Sequence, residues 1–312
     1  MDIRRIKGII APIITPIKEN EDVDEKGFRR LLNHCVESGL DAVFVAGSNG
    51  ETMSLTQEQR NRAIKIALDE IGGKIPVLCG VMDTSTRRVI DNIKALEQMG
   101  GEVAVITPAF YIRNSCQQEV VRHFEEVANK TNLKIMIYNI PLFTQVNITP
   151  EIVMELSKIE NIIGLKDSSG SIIQFQKCLS YFRDTGFKVF QGITEISGVS
   201  ILMGADGMVP VLAPLFPEIF KKLYRVAAAK DIKRTILMQD IVSRVNKILS
   251  MALNATSAAK YAISLLGFSS KQVTLPCEPL TEEEEAMISE FVKSIKDKYD
   301  LFLNPEEEIK IV

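Results

Sequence analysis

Short apolar runs alternate with amphipathic segments along most of this chain, and that alternation constrains the fold more than any other feature. It is the pattern of repeated strand–helix units around a parallel sheet. The first strand is expected over Gly8 to Ile14, closed by Thr15-Pro16, and a helix over Lys26 to Glu37 follows. That helix carries Phe28, Leu31, Leu32 and Cys35 on one stripe. Ala42–Ala46, Pro76–Cys79, Val103–Ile106 and Lys134–Tyr138 read as strands two to five. Between them, Thr56 and Gln59 form a capping box for a helix running to Ile71, and Thr84–Met99 and Gln117–Lys130 supply two more helices. Thr149-Pro150 opens the next helix, with Thr as cap and Pro at its first position. Ile162–Lys166, Lys188–Gln191 and Asp206–Val211 read as strands six to eight, with helices through Phe175 and Leu179, over Glu195–Met203 and over Pro217–Ala229. Eight units of about 30 residues count out to an α/β fold, a (β/α)8 TIM barrel over residues 1–230.

From Asp231 the alternation stops. Asp231–Ser250, Asn254–Leu266 and Glu282–Leu303 read as helices, interrupted by one brief β-like run, Gln272 to Leu275. Thr281 and Glu284 form a second capping box, and the acidic run Glu282–Glu285 suits the positive end of a helix better than a metal site. Residues 231–312 are therefore expected as a C-terminal helical region with a frayed tail after Asn304.

The net charge of −3 and the lack of a basic cluster give no reason to expect nucleic acid or an anionic membrane as partner. Cys35, Cys79, Cys116, Cys178 and Cys277 are scattered without a C-x-x-C pair, which argues against a disulfide framework or zinc site and fits a reducing cytoplasm. The opening residues have no signal-peptide layout, and no stretch approaches the ~20 apolar residues that span a bilayer. A cytoplasmic protein is the expectation.

In a parallel barrel, functional residues gather where strands end and in the loops that follow. Lys166 closes the apolar run Ile162-Ile163-Gly164-Leu165 and meets the turn Asp167-Ser168-Ser169-Gly170. A buried ammonium without a partner is costly, so such a place favours the neutral amine that attacks a ketone to form a Schiff base. The alternative is a side chain that reaches past the strand into water or pairs with Asp167. The second strand ends in Gly47-Ser48-Asn49-Gly50-Glu51, a nest for a small carboxylate or a plain glycine turn. Phe110-Tyr111 follows the fourth strand, and Tyr138 ends the fifth, close enough to a reactive amine to relay protons, or else purely structural.

Gly47-Ser48-Asn49-Gly50-Glu51, Tyr138-Asn139-Ile140-Pro141 and Gly164-Leu165-Lys166-Asp167, in this order and at these separations, resemble the dihydrodipicolinate synthase / N-acetylneuraminate lyase superfamily of class I pyruvate-dependent aldolases. The likeness runs from about Gly8 to Ala229 and more loosely through the helical tail. It implies that Lys166 forms the Schiff base with pyruvate, with no metal or cofactor, and that Tyr138 is the general acid/base. It implies that Ser48 links Tyr138 to a second tyrosine, Tyr111, supplied by a neighbouring subunit. Ser48 and Asn49, with the backbone around Gly50, would hold the pyruvate carboxylate, and Val209 would line the pyruvate pocket. A homotetramer, a dimer of tight dimers, is the corresponding assembly.

The departures bear on the second substrate. In the synthase branch an arginine after the Tyr-Asn-x-Pro motif binds the far carboxylate of aspartate semialdehyde, and Phe143 stands at the matching position here. A phenyl ring cannot make that bidentate contact, and its loss should cost the synthase substrate a few kcal/mol. Asn49 replaces a usual threonine, and Gln145 a usual glycine. With Lys166 and Tyr138 kept, the chain looks nearer to the 2-keto-3-deoxy sugar acid aldolases, in which Thr194-Glu195 could offer hydrogen-bonding groups. The expected reaction interconverts a 2-keto-3-deoxy sugar acid, such as 2-keto-3-deoxygluconate, with pyruvate and an aldehyde. The alternatives are 4-hydroxy-tetrahydrodipicolinate synthase, N-acetylneuraminate lyase, and a non-catalytic barrel that binds pyruvate or a sugar acid.

Overall fold

A computed structural model describes residue 2 and residues 5–112 and 114–303. Eight strands pair in parallel in chain order and close into a barrel: β1 (Gly8–Pro12), β2 (Ala42–Val45), β3 (Val77–Gly80), β4 (Val103–Ile106), β5 (Lys134–Asn139), β6 (Ile162–Asp167), β7 (Lys188–Gln191) and β8 (Gly207–Met208). Around them run α1 (Glu25–Glu37), α2 (Gln57–Ile71), α3 (Thr86–Gln98), α4 (Gln117–Ala128), a short α5 (Pro141–Thr144), α6 (Pro150–Leu156), α7 (Ile172–Phe182), α8 (Ser197–Leu202) and α9 (Pro217–Ala228). Local chemistry marks several of the helix starts. Asp24 accepts a hydrogen bond from the Gly27 N–H at 3.1 Å, and the Thr56–Gln59 capping box is closed in both directions. Thr149 differs from expectation: its side chain makes no capping bond, and Pro150 alone marks the start of α6.

Side chains leave the strands on two faces. Ile10, Phe44, Leu78, Val105, Met136 and Phe190 fill the barrel interior. Ile9, Val43, Cys79, Ala104, Ile137 and Leu165 point outward against the helix stripes, among them Phe28, Leu31 and Phe175. Each fully buried side chain of this size contributes about 1.5–3 kcal/mol, so this double core fixes the strand ends that carry the site.

One irregularity in the sheet matters for function. Ile135 pairs with Ile162 but Met136 with Gly164, so β6 carries one extra residue. Ile163 faces the interior; strict alternation would turn Leu165 inward and Lys166 outward. The bulge resets the phase, sending Leu165 to the outer core and Lys166 inward, opposite Tyr138. Gly164 permits it, since an added Cβ would lie 2.6 Å from the Lys188 carbonyl oxygen.

Two strand expectations are corrected. The eighth strand is limited to Gly207–Met208 rather than Asp206–Val211: Val209 still donates to Gln191 at 2.9 Å, but Pro210 has no N–H to continue the ladder. Gln272–Leu275 forms no strand; its backbone N–H groups go to side chains, Thr274 to Glu51 at 2.8 Å and Leu275 to Glu21 at 2.7 Å.

The C-terminal helices are α10 (Ile232–Asn246), α11 (Ala255–Ser264), α12 (Glu282–Asp297) and α13 (Tyr299–Leu303). α10 lies along α8 and α9, and Tyr299 rests against Phe216 with ring centroids 6.2 Å apart. The Thr281–Glu284 capping box is present, with four glutamates in the first turn of α12. The tail after Asn304 lies outside the described residues. No helix among the described residues is long and apolar enough to cross a membrane.

Candidate active site

Lys166 is 6% exposed and has no carboxylate or hydrogen-bond partner among the described residues. Its Nζ lies 3.9 Å from the centroid of the Tyr138 ring and 4.9 Å from that of Phe44. The two rings meet edge to face at 5.9 Å. Aromatic faces attract a cation, worth about 0.5–2 kcal/mol, but they supply no counter-charge. Neither simple alternative for Lys166 is realised: it stays buried at the strand end rather than extending into water, and it does not pair with Asp167.

Asp167 points to the other side of β6, where it accepts hydrogen bonds from Asn139 Nδ2 and the Ser169 N–H, both at 2.9 Å, and from Ser169 Oγ at 3.1 Å. Burial pushes its carboxyl above the usual range against these bonds. Asn139 also bonds Asn147 and the Ile148 backbone, so the ends of β5 and β6 are clasped directly behind Tyr138 and Lys166. Sequence reading missed this network, although Asn139 and Asp167 directly follow Tyr138 and Lys166 in the two motifs.

The expected site residues fall into three groups. Lys166 and Val209 line a small interior cavity of about 10 Å³ with Phe44, and Tyr138 packs on that same ring and amine. Ser48 and Phe143 line a separate cavity of about 260 Å³ at the barrel mouth, with Met53, Met82, Thr107 and Ile140. No hydrogen bond joins Ser48 to Tyr138 within the chain. Tyr111 stands apart, 91% exposed and at a φ of 76°, a costly conformation for a tyrosine that tends to mark functional positions.

Ser48, Asn49 and Gly50 form a single tight turn after β2, closed by Gly50 N–H to Gly47 at 3.0 Å. The Gly50 carbonyl accepts from Thr15 Oγ1 at 2.9 Å. The Ser48 and Asn49 N–H groups have no acceptor among the described residues, as a carboxylate nest requires. Phe143 sits on α5, which ends at Gln145 with a φ of 56°, a conformation glycine adopts freely. Thr194 and Glu195 do not line the mouth cavity; the Glu195 carboxylate bonds Asn246 of α10 at 2.5 Å.

The largest feature missed from the sequence lies beside the turn. Glu51, buried at a φ of 55°, pairs with Lys260 of α11, which is fully buried. Burial lowers the lysine's proton affinity, and the Glu51 carboxylate opposes that shift. Thr256 and Cys277 from the same C-terminal region line the mouth cavity. Among the described lining residues there is no lysine or arginine, and the one acid, Glu51, is neutralised by Lys260.

A family model described as the dihydrodipicolinate synthetase family matches residues 5–295. The 4-hydroxy-tetrahydrodipicolinate synthase of Phocaeicola vulgatus is 29% identical over 88% of this chain and 92% of its own. The dihydrodipicolinate synthase structure from Bacteroides thetaiotaomicron superposes with a TM-score of 0.88 at 29% identity, covering 93% of this chain and 98% of that one. YagE, an E. coli prophage protein of the dihydrodipicolinic acid synthase family solved in complex with pyruvate, superposes with a TM-score of 0.88 at 26% identity, covering 93% and 99%.

Proposed function

This chain belongs to the dihydrodipicolinate synthetase family and is a carbon–carbon lyase of the class I pyruvate-aldolase type, and we propose that it interconverts a 2-keto-3-deoxy sugar acid with pyruvate and an aldehyde through a Schiff base on Lys166. The observation that carries this reading is the Lys166 amine, buried without a counter-ion 3.9 Å from the Tyr138 ring centroid. In the synthetic direction the amine attacks the pyruvate ketone and water leaves, giving an iminium. The methyl carbon then loses a proton, and the enamine bonds to the aldehyde carbon while the aldehyde oxygen takes up a proton. Hydrolysis returns Lys166 and the keto acid. Tyr138 is the acid/base for the aldehyde oxygen, and the Ser48–Asn49–Gly50 turn holds the pyruvate carboxylate. No metal or cofactor takes part, because the iminium is itself the electron sink.

Tyr111, exposed on a single chain, completes the site of a second copy in this reading, which makes the enzyme an oligomer, a dimer of tight dimers, working in the cytoplasm. Phe143 and the absence of a cation among the described residues lining the mouth cavity favour an aldehyde without a second carboxylate. The relatives' names favour the rival, condensation with aspartate semialdehyde. Pyruvate release from 2-keto-3-deoxygluconate, assayed beside pyruvate consumption with aspartate semialdehyde, separates the two. Release with little consumption is expected. Fast consumption with the semialdehyde would overturn the sugar-acid assignment while leaving the Lys166 chemistry intact.

A further inference from the structure

The carboxylate-binding turn is anchored at Gly50 by Thr15 and by its own closing bond, but the residue that ends it depends on distant partners. Ser48–Gly50 is one tight turn, and the residue that closes it, Glu51, has a left-handed backbone that a glutamate adopts only at a cost. What holds Glu51 comes from more than two hundred residues away in sequence. Its Oε1 accepts from the Thr274 N–H at 2.8 Å and from Thr274 Oγ1 at 2.9 Å, and its Oε2 takes the Lys260 ammonium. Both carboxylate oxygens are therefore occupied by donors of the C-terminal region. The Glu51 N–H in turn bonds the Ser48 carbonyl at 3.1 Å, so the position of the carboxylate is passed to the turn through one residue.

We infer that Lys260 and Thr274 are positioning residues for pyruvate: through Glu51 they set the Ser48–Gly50 turn in its carboxylate-binding geometry, and the C-terminal helical region is thereby part of the active site. The inference rests on the assignment of that turn to the pyruvate carboxylate. Lys260 is too deeply buried to be a surface ion pair, and a broken buried pair leaves a stranded charge that is relieved by movement of its carrier or by proton uptake, either of which changes how that carrier is held. That carrier is Glu51. The turn moves with it, whereas Lys166 and Tyr138, on β6 and β5, are held by the separate Asn139–Asp167 clasp. Loss of the Glu51 contacts should thus weaken pyruvate capture and spare the chemistry that follows it.

The test is the pyruvate concentration that gives half-maximal borohydride-trapped adduct on Lys166, read by intact mass, alongside thermal denaturation of each protein. Lys260→Met should raise that concentration at least about tenfold, as befits a broken buried ion pair. Thr274→Val, which keeps the backbone bond and loses only the hydroxyl, should raise it about threefold. Both variants should reach wild-type trapping at saturating pyruvate. A variant that is folded and less heat-stable but has an unchanged half-saturation would make these residues structural only and overturn the inference. If Lys260→Met is not recovered folded, Thr274→Val decides in the same way. No adduct on the wild-type protein at any pyruvate concentration would instead remove the Schiff-base assignment, and this inference with it.

Discussion

Lys166 and Lys260 are the two buried lysines among the described residues, and their surroundings are opposite. Lys260 faces a carboxylate that is itself fixed by Thr274, so its charge is matched and its role is to hold Glu51. Lys166 faces two aromatic rings and no acid. The same side chain at similar burial is charge-matched in one place and left without a counter-ion in the other. A buried lysine without a counter-ion is the stronger candidate for chemistry of the two, because nothing matches its charge.

Lys166→Met probes the chemical side of that contrast and has the largest expected effect. Turnover and the borohydride-trapped pyruvate adduct should both vanish, since no other amine stands beside Tyr138. The variant should also melt no lower than the wild type, because it replaces an unpaired amine with an apolar chain of similar volume. A marked drop in melting temperature would show that the Lys166 amine supports the fold after all. Tyr138→Phe should slow turnover by about 10²–10⁴, the usual worth of a positioned acid/base, while the adduct still forms. An unchanged rate would remove Tyr138 from proton transfer.

The structural side should respond in the reverse order. Lys260→Met strands the buried Glu51 carboxylate and should cost about 3–5 kcal/mol of stability by denaturant titration. A loss below about 1 kcal/mol, the range of exposed pairs, would mean that the pair is solvated in solution.

A third buried base extends the contrast. His123 of α4 accepts or donates to Thr86 Oγ1 at 2.9 Å, and burial pushes its pKa down to about 4, the nearby Thr107 backbone acting the other way without an aligned hydrogen bond. Between pH 6.5 and 4 the unfolded chain binds the proton and the folded one does not, so stability falls on acidification through that window. The loss should be on the order of 3 kcal/mol at most, and His123→Leu should remove that part of the slope. An identical pH profile in the variant would show that His123 does not contribute to acid sensitivity.

The barrel was legible because each strand is a short apolar run ended by a glycine, a proline or a motif, and the expected limits of β4 and β7 match those observed. The pairing of Tyr138 with Lys166 was legible only as proximity. Its cause, the extra residue at Gly164, depends on how closely the Lys188 backbone approaches, and a single strand's sequence does not carry that distance. The four residues of α5 were too short to show a helical period. Lys260 falls within the expected helix Asn254–Leu266, where its immediate neighbours Ala258 and Ala259 do not set it apart from a surface lysine. Its spacing of three from Ser257 and Ile263, both buried, was the available signal. Its partner lies 209 residues earlier, and no local pattern reports such a pairing.

That separation has a consequence in time as well as in space. Protein synthesis delivers the chain from its first residue onward, so every barrel strand, through Met208, precedes Lys260 and Thr274. While the growing polypeptide ends anywhere between them, Glu51 lacks the Lys260 and Thr274 contacts that hold its carboxylate. The order of manufacture therefore places the barrel strands first and the partners of the Glu51 carboxylate last.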